Sequence, residues 1–535
     1  MKRTIAILLS LMLAIGLLSG SALASEVKQG GTLTVGEYIL DTQMSNKNPY
    51  VTNGTWNQNL RTLIYDTLVY YNPLSGEYLP SLAEEWSWND AYTQLTFKLR
   101  EGVKWHDGEA FTADDVMFTY NMIKDTTLDV YGLWSRFDSV TADGSTVTVT
   151  CKAAFPSLLS YISELYIVPE HIWSTVGNVA EYLNDTPVGT GAFVWTKYTV
   201  GTDIQFSANK DYFRGAPNVD RMVIMMYNSS PNMSLSLLKG EIDMSFGTIT
   251  MSNIPEFLTK ENAKMQIYAG ATNWVVSFNF ENELLADREV RKAMCMAIDQ
   301  ASLITKAEYN GVFPVNMGWL PNLFGDLVNQ EANAQLTYDP AGARAVLEAA
   351  GYTVGDDGVY QKDGKRLSFT YHNASGAPAQ QMEAGMIQQW LLNIGIEIIP
   401  KLATWAELAT LRQNGKYDLL QNSYNFPADP YAALNSCFSS SMTAPSGEPA
   451  PGNNHFRYRN PELDTLLEEV ASETDSAKSK ELYYKAQEII AGDYVGLPMY
   501  NQGDHIPYYD GGRIGGWRDD VPVKSVLNLI SVYCK

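Results

Sequence analysis

The sequence predicts an α/β protein of two or three packed units, and three observations point there. The chain has 535 residues, well beyond the ~100 to 200 of an ordinary domain. Its early part is rich in hairpin patterns, and its second half alternates helix-like with strand-like segments, as expected of a sheet covered by helices. No low-complexity linker or short repeat interrupts it, so ordered crossings should join the units.

The elements follow in order. GTLTVGEY alternates like a strand, and WNQNLRTLIYDTLVYY, from Trp56 to Tyr71, reads as a helix. TQLTFKL places Leu95, Phe97 and Leu99 on one face, and DSVTADGSTVTVTC is a hairpin turning at Asp143-Gly144. GTGAFVWTKYTVGTDIQFSAN is another hairpin, RMVIMMY a buried-type strand, and SPNMSLSLLKGEIDM a helix closed by Gly240 and followed by a short strand. DREVRKAMCMAIDQASLI reads as one helix. YDPAGARAVLEAAGY is another, with Asp339 as N-cap, Pro340 in the first turn and Gly351 at its end. RLSFTYHN, IEIIPKLA and YDLLQNSY read as strands, and the helices MEAGMIQQWLLNIG and WAELATLRQNG lead into the last two. PELDTLLEEVASE and SKELYYKAQEIIAG are further helices.

Composition excludes several functions. Sixty acidic residues against 38 basic ones leave a formal charge of −22, which opposes sequence-independent binding to nucleic acid. At the N-terminus Lys2 and Arg3 precede the apolar run Ile5 to Leu18, and Ala22-Leu23-Ala24 supplies a small-x-small cleavage pattern. Export is expected, with cleavage between Ala24 and Ser25. Leu18-Ser19-Gly20-Ser21 resembles a lipoprotein box with Ser21 in place of the acylated Cys, so no lipid is expected there. Nothing later is long and apolar enough to span a bilayer, and a soluble periplasmic or otherwise extracytoplasmic protein is expected. Cys151, Cys295, Cys437 and Cys534 permit two disulfides in any of three pairings, although Cys295 within a helical pattern reads as a buried thiol. The five histidines stand apart from one another, with no CxxC nearby, and neither metal nor cofactor is expected.

One short stretch needs a choice. In VKWHDGEAFTADDVMFTYNMI, His106 stands beside Asp107 and near Glu109, which suggests a catalytic or metal cluster. The local pattern favours a turn. Asp107-Gly108 is a strong turn dipeptide, Thr112 and Asp115 have capping-box spacing, and Phe111 and Val116 sit as a hydrophobic staple.

Over its length the chain resembles a known family. LPSLAEEWSWNDAYTQLTFKLREGVKWHDGEAFTADDVMFTYNMI is similar to the signature region of bacterial extracellular solute-binding proteins of the dipeptide-, oligopeptide- and nickel-binding type. PVGTGAFVWTKYTVGTDIQFSANKDYFRGAPNVDRMVI, VSFNFENELLADREVRKAMCMAIDQASLI and YDPAGARAVLEAAGY match in order. The resemblance implies a two-lobed α/β periplasmic-binding-protein fold with a hinge and an extra hairpin-rich subdomain in the first lobe. In this numbering the signal would be 1–24, lobe I 25–70 and 184–274, the subdomain 71–183, lobe II 275–499, and the return to lobe I 500–535. It also implies a receptor that delivers a solute to the permease of an ABC importer, a monomer with no chemistry of its own.

The same resemblance places pocket candidates at Tyr131 and Trp134 in the subdomain, Trp274 and Tyr500 at the crossings, and Trp405, Tyr424, Asn425, Phe426 and Asp429 in the second lobe, with Trp56 added from the first. Large flat faces suit such a cleft. Peptide-binding members present an aspartate four residues before the proline of the second-lobe loop, where this chain has Phe426. An oligopeptide-class solute is therefore expected if another acid, such as Asp429, takes the amine. An oligosaccharide is the alternative. A secreted glycoside hydrolase is a distant third, since no G-x-S-x-G, H-E-x-x-H or P-loop pattern occurs.

Overall fold

The computed structural model describes residues 29–39, 46–50, 58–124, 136–247, 249–307, 311–335, 337–375, 378–426 and 428–535. The export signal, with Ala24 and Ser25, lies outside them.

An eleven-stranded mixed sheet runs through the molecule. One half holds Thr32–Tyr38 between the parallel neighbours Arg221–Tyr227 and Met244–Ser245, extended by the antiparallel hairpin Phe193–Thr199 and Asp203–Ala208. The other half holds Ser368–Ala374 between the parallel strands Glu397–Ala403 and Leu419–Asn425. Two long antiparallel strands, Ala263–Phe278 and Gly496–Tyr509, join the halves and are the elements on which the chain passes from one to the other. Beside the first half a four-stranded antiparallel sheet carries Ala83–Trp88, Gln94–Leu99, Thr146–Cys151 and Phe137–Asp143, with the helix Ala113–Lys124 packed on it.

Most elements follow the sequence patterns, and the exceptions have physical causes. The helix read from Trp56 to Tyr71 ends at Ile64, and Val69–Asn72 instead pairs as a hairpin with Glu77–Pro80. Tertiary pairing there overrides helical periodicity: Asp66 is buried and engaged by Thr190 and Tyr212, which fixes the chain direction after the helix. The helix expected from Asp287 to Ile304 breaks in two, Arg288–Met296 and Gln300–Lys306, because Asp299 accepts the Ser302 N–H and caps a new start. All four cysteines are unpaired buried thiols, so neither disulfide option is realised.

The WHDGE stretch is a turn. Gly108 has φ +97°, its N–H reaches the Trp105 carbonyl at 2.9 Å, and the Trp105 N–H reaches the Glu109 carbonyl at 2.8 Å. His106 Nε2 lies 2.9 Å from the Gly191 carbonyl oxygen, and burial pushes the imidazole pKa down to about 4. Asp115 takes the Thr112 N–H at 2.8 Å, the Trp105 indole N–H at 3.3 Å and the Glu170 N–H at 2.9 Å. These groups hold the subdomain together and tie it to Gly191, and none of them lines the cavity described below.

The long strand pair contains the feature that positions the site. Its register slips between Ala269 and Thr272 and again between Trp274 and Val275. At the first slip Gly270 and Ala271 leave the ladder, as in a bulge. The Asn501 amide, 1% exposed, donates to the Gly270 carbonyl at 2.9 Å, the Thr272 carbonyl at 3.0 Å and Asn273 Oδ1 at 3.0 Å. A Cβ on Gly270 would stand 2.0 Å from the Gln502 carbonyl oxygen, so only glycine fits. Asn273 in turn donates to the carbonyl of Trp319 at 2.6 Å. That tryptophan is fully buried, edge-on to Tyr424, Phe438 and Phe456. Asn501→Ala should leave buried carbonyls unpaired and cost on the order of 1–3 kcal/mol, read as a lower urea midpoint at unchanged slope; an unchanged midpoint would mean that the bulge holds itself.

Candidate ligand-binding cleft

Where the bulge faces outward, the two halves enclose a cavity of about 440 Å³, within the ~300–1,000 Å³ usual for small-ligand sites. Its floor is Tyr268, Ala269 and Ala271 of the first crossing strand and Asp504 of the second. The first half supplies Arg61, Tyr65, Asp66, Tyr70 and Tyr71, and the subdomain supplies Tyr161, Glu164 and Tyr166. The second half closes it with Leu323, Asn425, Phe426, Ala428 and Ala432.

Backbone geometry holds the second-half wall. The Phe426 N–H reaches the carbonyl of bulged Ala271 at 2.7 Å, and Thr272 Oγ1 donates to Asn425 Oδ1 at 3.3 Å. The loop after the strand Leu419–Asn425 is thus tied to the crossing. The halves also touch beyond the cavity: Arg136 donates to the Tyr431 hydroxyl at 2.9 Å and pairs with Glu468 at 2.7 Å, and Phe155 meets Tyr431 edge-on at 5.9 Å. One apolar cluster includes Phe155 and Tyr161 from one side and Tyr431 and Ala432 from the other. The lobes are closed on each other around the cavity.

The charges on the wall balance in number, with Asp66, Glu164 and Asp504 against Arg61, Arg214 and Lys524. Lys524 pairs with Asp504 at 2.8 Å, and the Tyr268 hydroxyl donates to the same carboxylate, which together with burial holds the phenol well above its usual range. Asp66 accepts from Thr190 at 2.8 Å and from Tyr212 at 3.0 Å, while burial raises its carboxyl pKa. Glu164 is raised further, to about 7, by burial, against the lowering effects of the Ala428 N–H and the charge of Arg61. Tyr70 is pushed up to about 12 by burial, so it stays a neutral hydroxyl, donor and acceptor both.

The sequence-derived site residues divide into three groups. Asn425 and Phe426 line the cavity. Tyr424 and Tyr500 are buried in the cores of the second half, 3% and 2% exposed. Trp274 packs between Tyr500 and Trp405, with ring centroids 6.4 and 6.0 Å away, and donates its indole N–H to Gln502 at 2.8 Å. Trp405, 51% exposed, begins the helix Trp405–Asn414. The structure brings none of these four to the cavity wall. Asp429 does not stand free for an amine: it caps the helix Pro430–Phe438, accepting the Tyr431 N–H at 2.7 Å and the Tyr483 hydroxyl at 3.2 Å, and burial raises its carboxyl pKa. Tyr131, Trp134 and Trp56 lie outside the described residues.

The sequence reading missed the tyrosines and charged groups of the wall. A signal was present in IYDTLVYY and ISELYIV, where polar aromatics and acids interrupt apolar runs, but only the fold shows which of them face one another.

Two lobes joined by a pair of strands, with a polar, aromatic cavity at the crossing, form a hinge-closing solute receptor. The model of the bacterial extracellular solute-binding proteins, family 5 (middle) matches residues 77–444, and the chain belongs to this family. Among its relatives is the oligopeptide-binding protein AppA of Bacillus subtilis, 26% identical over 504 residues, covering 90% of this chain and 88% of the relative. The structure of that protein with a nonapeptide superposes with a TM-score of 0.81 at 23% identity, over 95% of this chain and all of the other. A mannohexaose-bound periplasmic oligopeptide-binding protein from Thermotoga maritima superposes with a TM-score of 0.81 at 25% identity, over 96% of this chain and 99% of the other. The family is one of binding proteins. Among the described residues no helix is long and apolar enough to cross a membrane, and no group of acid, histidine and cysteine side chains is arranged to hold a metal.

The Glu164 carboxyl sets a pH test. Its pKa is raised from 4.5 to about 7 on folding, so its contribution to stability is fully present below pH 4.5 and is lost as pH rises through 7. Glu164→Gln keeps an acceptor for the Ala428 N–H without the charge. The melting temperature of the variant relative to the wild type should therefore rise from pH 5 to pH 8 in ligand-free protein; a constant difference would show that the carboxyl is not desolvated.

Proposed function

We propose that this protein is the receptor of an ABC importer and captures an oligopeptide-class solute between its lobes outside the cytoplasm. The observation that supports this most is the composition of the cavity wall. Tyrosine hydroxyls alternate with acids and bases equal in number. A peptide brings amide donors and acceptors for the hydroxyls, side chains for the ring faces and charged ends of both signs. The peptide-binding relatives agree with this reading.

The contacts proposed for the solute are Asn425 and Phe426 with the tyrosines of the first half, and closure is expected to move one lobe against the other about the crossing strands. We place the lobe limits at 274/275 and 499/500 and the subdomain at 71–183. Export by cleavage after Ala24, with no lipid at Ser21, and a monomeric state complete the proposal. An oligosaccharide remains the second reading, because tyrosine faces also stack on sugar rings and the Thermotoga maritima structure holds mannohexaose.

Titration calorimetry with a pool of di- to pentapeptides, set beside a panel of β-linked oligosaccharides, separates the two. Micromolar or tighter affinity for peptides and no heat from sugars is expected. Sugar binding without peptide binding would transfer the protein to carbohydrate uptake.

A further inference from the structure

Two carboxylates on the cavity wall, Asp66 and Glu164, form no ion pair among the described residues, and they differ in their hydrogen bonds. Asp504 has the Lys524 ammonium at 2.8 Å. Asp66 is engaged by two hydroxyls and lies in the field of Arg214. Glu164 follows the short helix Leu158–Ile162 on the subdomain side of the cavity. The hydrogen bond it accepts comes from the Ala428 N–H, across the cleft in the other lobe. Arg61 is near enough to act on it but forms no ion pair with it. Its guanidinium donates to the Pro49 carbonyl at 2.8 Å and lies over the Tyr166 ring, 5.6 Å from the centroid.

A carboxylate offers about four lone-pair sites, and one N–H leaves the others to the cavity. A desolvated charge without a partner is costly, and a ligand group that supplies the opposite charge recovers that cost. Resting on the peptide reading above, we infer that Glu164 anchors the ammonium group of the solute, so that the charge demanded by a free amine comes from the subdomain wall and not from the second-lobe loop. The Ala428 contact gives this a consequence for closure. Bringing the lobes together desolvates Glu164, and a cationic group in the cleft offsets that penalty. A solute with an amine therefore favours the closed state over the open one, and this differential affinity is what a closing receptor requires.

Phe426 and Ala428 are consistent with such a division of labour. The loop contributes an apolar ring, 2% exposed and packed edge-on to Phe324 at 6.3 Å, together with a backbone N–H that orients the acid. Neither group competes for the ammonium.

The competing role for Glu164 is a lobe-to-lobe tie through Ala428 that never meets the solute. A binding cycle separates the two. A pentapeptide selected from a random pool by native mass spectrometry is titrated, free and N-acetylated, into the wild type, Glu164→Gln and Glu164→Asp, each first shown to melt cooperatively. In the wild type acetylation should weaken binding by roughly 10- to 100-fold, the range for a charge-assisted hydrogen bond. Glu164→Gln should weaken the free peptide by a similar factor and leave the acetylated one within about 2-fold. Glu164→Asp should retain part of the preference for the free amine. Equal weakening of both peptides by Glu164→Gln would assign the residue to the tie and overturn the inference, as would an acetylation penalty that persists in that variant. If the wild type retains no peptide from the pool, the peptide reading itself fails and takes this assignment with it; that outcome is recognisable because no variant is needed to see it.

Discussion

The Asn501 amide at the strand crossing is the contact on which the site depends. Two long strands bridging two lobes would, in perfect register, form a flat ribbon with all backbone groups paired to each other. Letting Gly270 and Ala271 out of the ladder frees carbonyls that would be buried and unpaired. Asn501 satisfies the Gly270 carbonyl, and also reaches that of Thr272, from within the partner strand. The freed Ala271 carbonyl then takes the Phe426 N–H and so draws the second-lobe loop over the cleft. Glycine at 270 is required by the 2.0 Å approach that a Cβ would make to the Gln502 carbonyl oxygen. One local irregularity in the backbone thus sets the cavity floor and one of its walls.

The rest of the cleft follows from what two closing surfaces can bury. Contacts that must open and reclose favour groups able to be wetted, and the wall accordingly sets tyrosines and six charged side chains among apolar residues such as Leu165, Leu323 and Val526. The latch at Arg136 has the same character. Its partner Glu468 is largely exposed, so the pair contributes little to stability and does not hold the lobes shut alone. Within the neutral tally of wall charges, Glu164 forms no ion pair among the described residues and lies only in the field of Arg61.

Much of the fold was legible from local pattern because it rests on local physics. The cap at Asp339, the hairpin turn at Asp143-Gly144 and the turn at Gly108 all depend on neighbours within a few residues. The helix that stops at Ile64 was not legible in the same way, since tertiary partners decide it, whereas the break at Asp299 is a local cap hidden inside a continuous helical pattern. The cavity wall was less legible than the fold. Asn425 belongs to the wall while its strand neighbour Tyr424 alternates away into the core, as the period of two along a strand requires, and Phe426 reaches the wall from just past the strand end. Trp274, Trp405 and Tyr500 form an aromatic group outside the cavity. Tyr166 and Glu164 went unread, because a tyrosine or an acid in an apolar run gives no sign of which distant loop it will meet.

Hydrogen–deuterium exchange with and without the peptide pool tests the cleft most directly, because it reports where the solute acts without requiring a variant. The account predicts slower exchange in 160–167, 268–273 and 423–432 when peptide is present, with the outer strands Phe193–Thr199 and Glu397–Ala403 unchanged. Protection centred on 403–410 around Trp405, with none in 160–167, would place the solute elsewhere and contradict it.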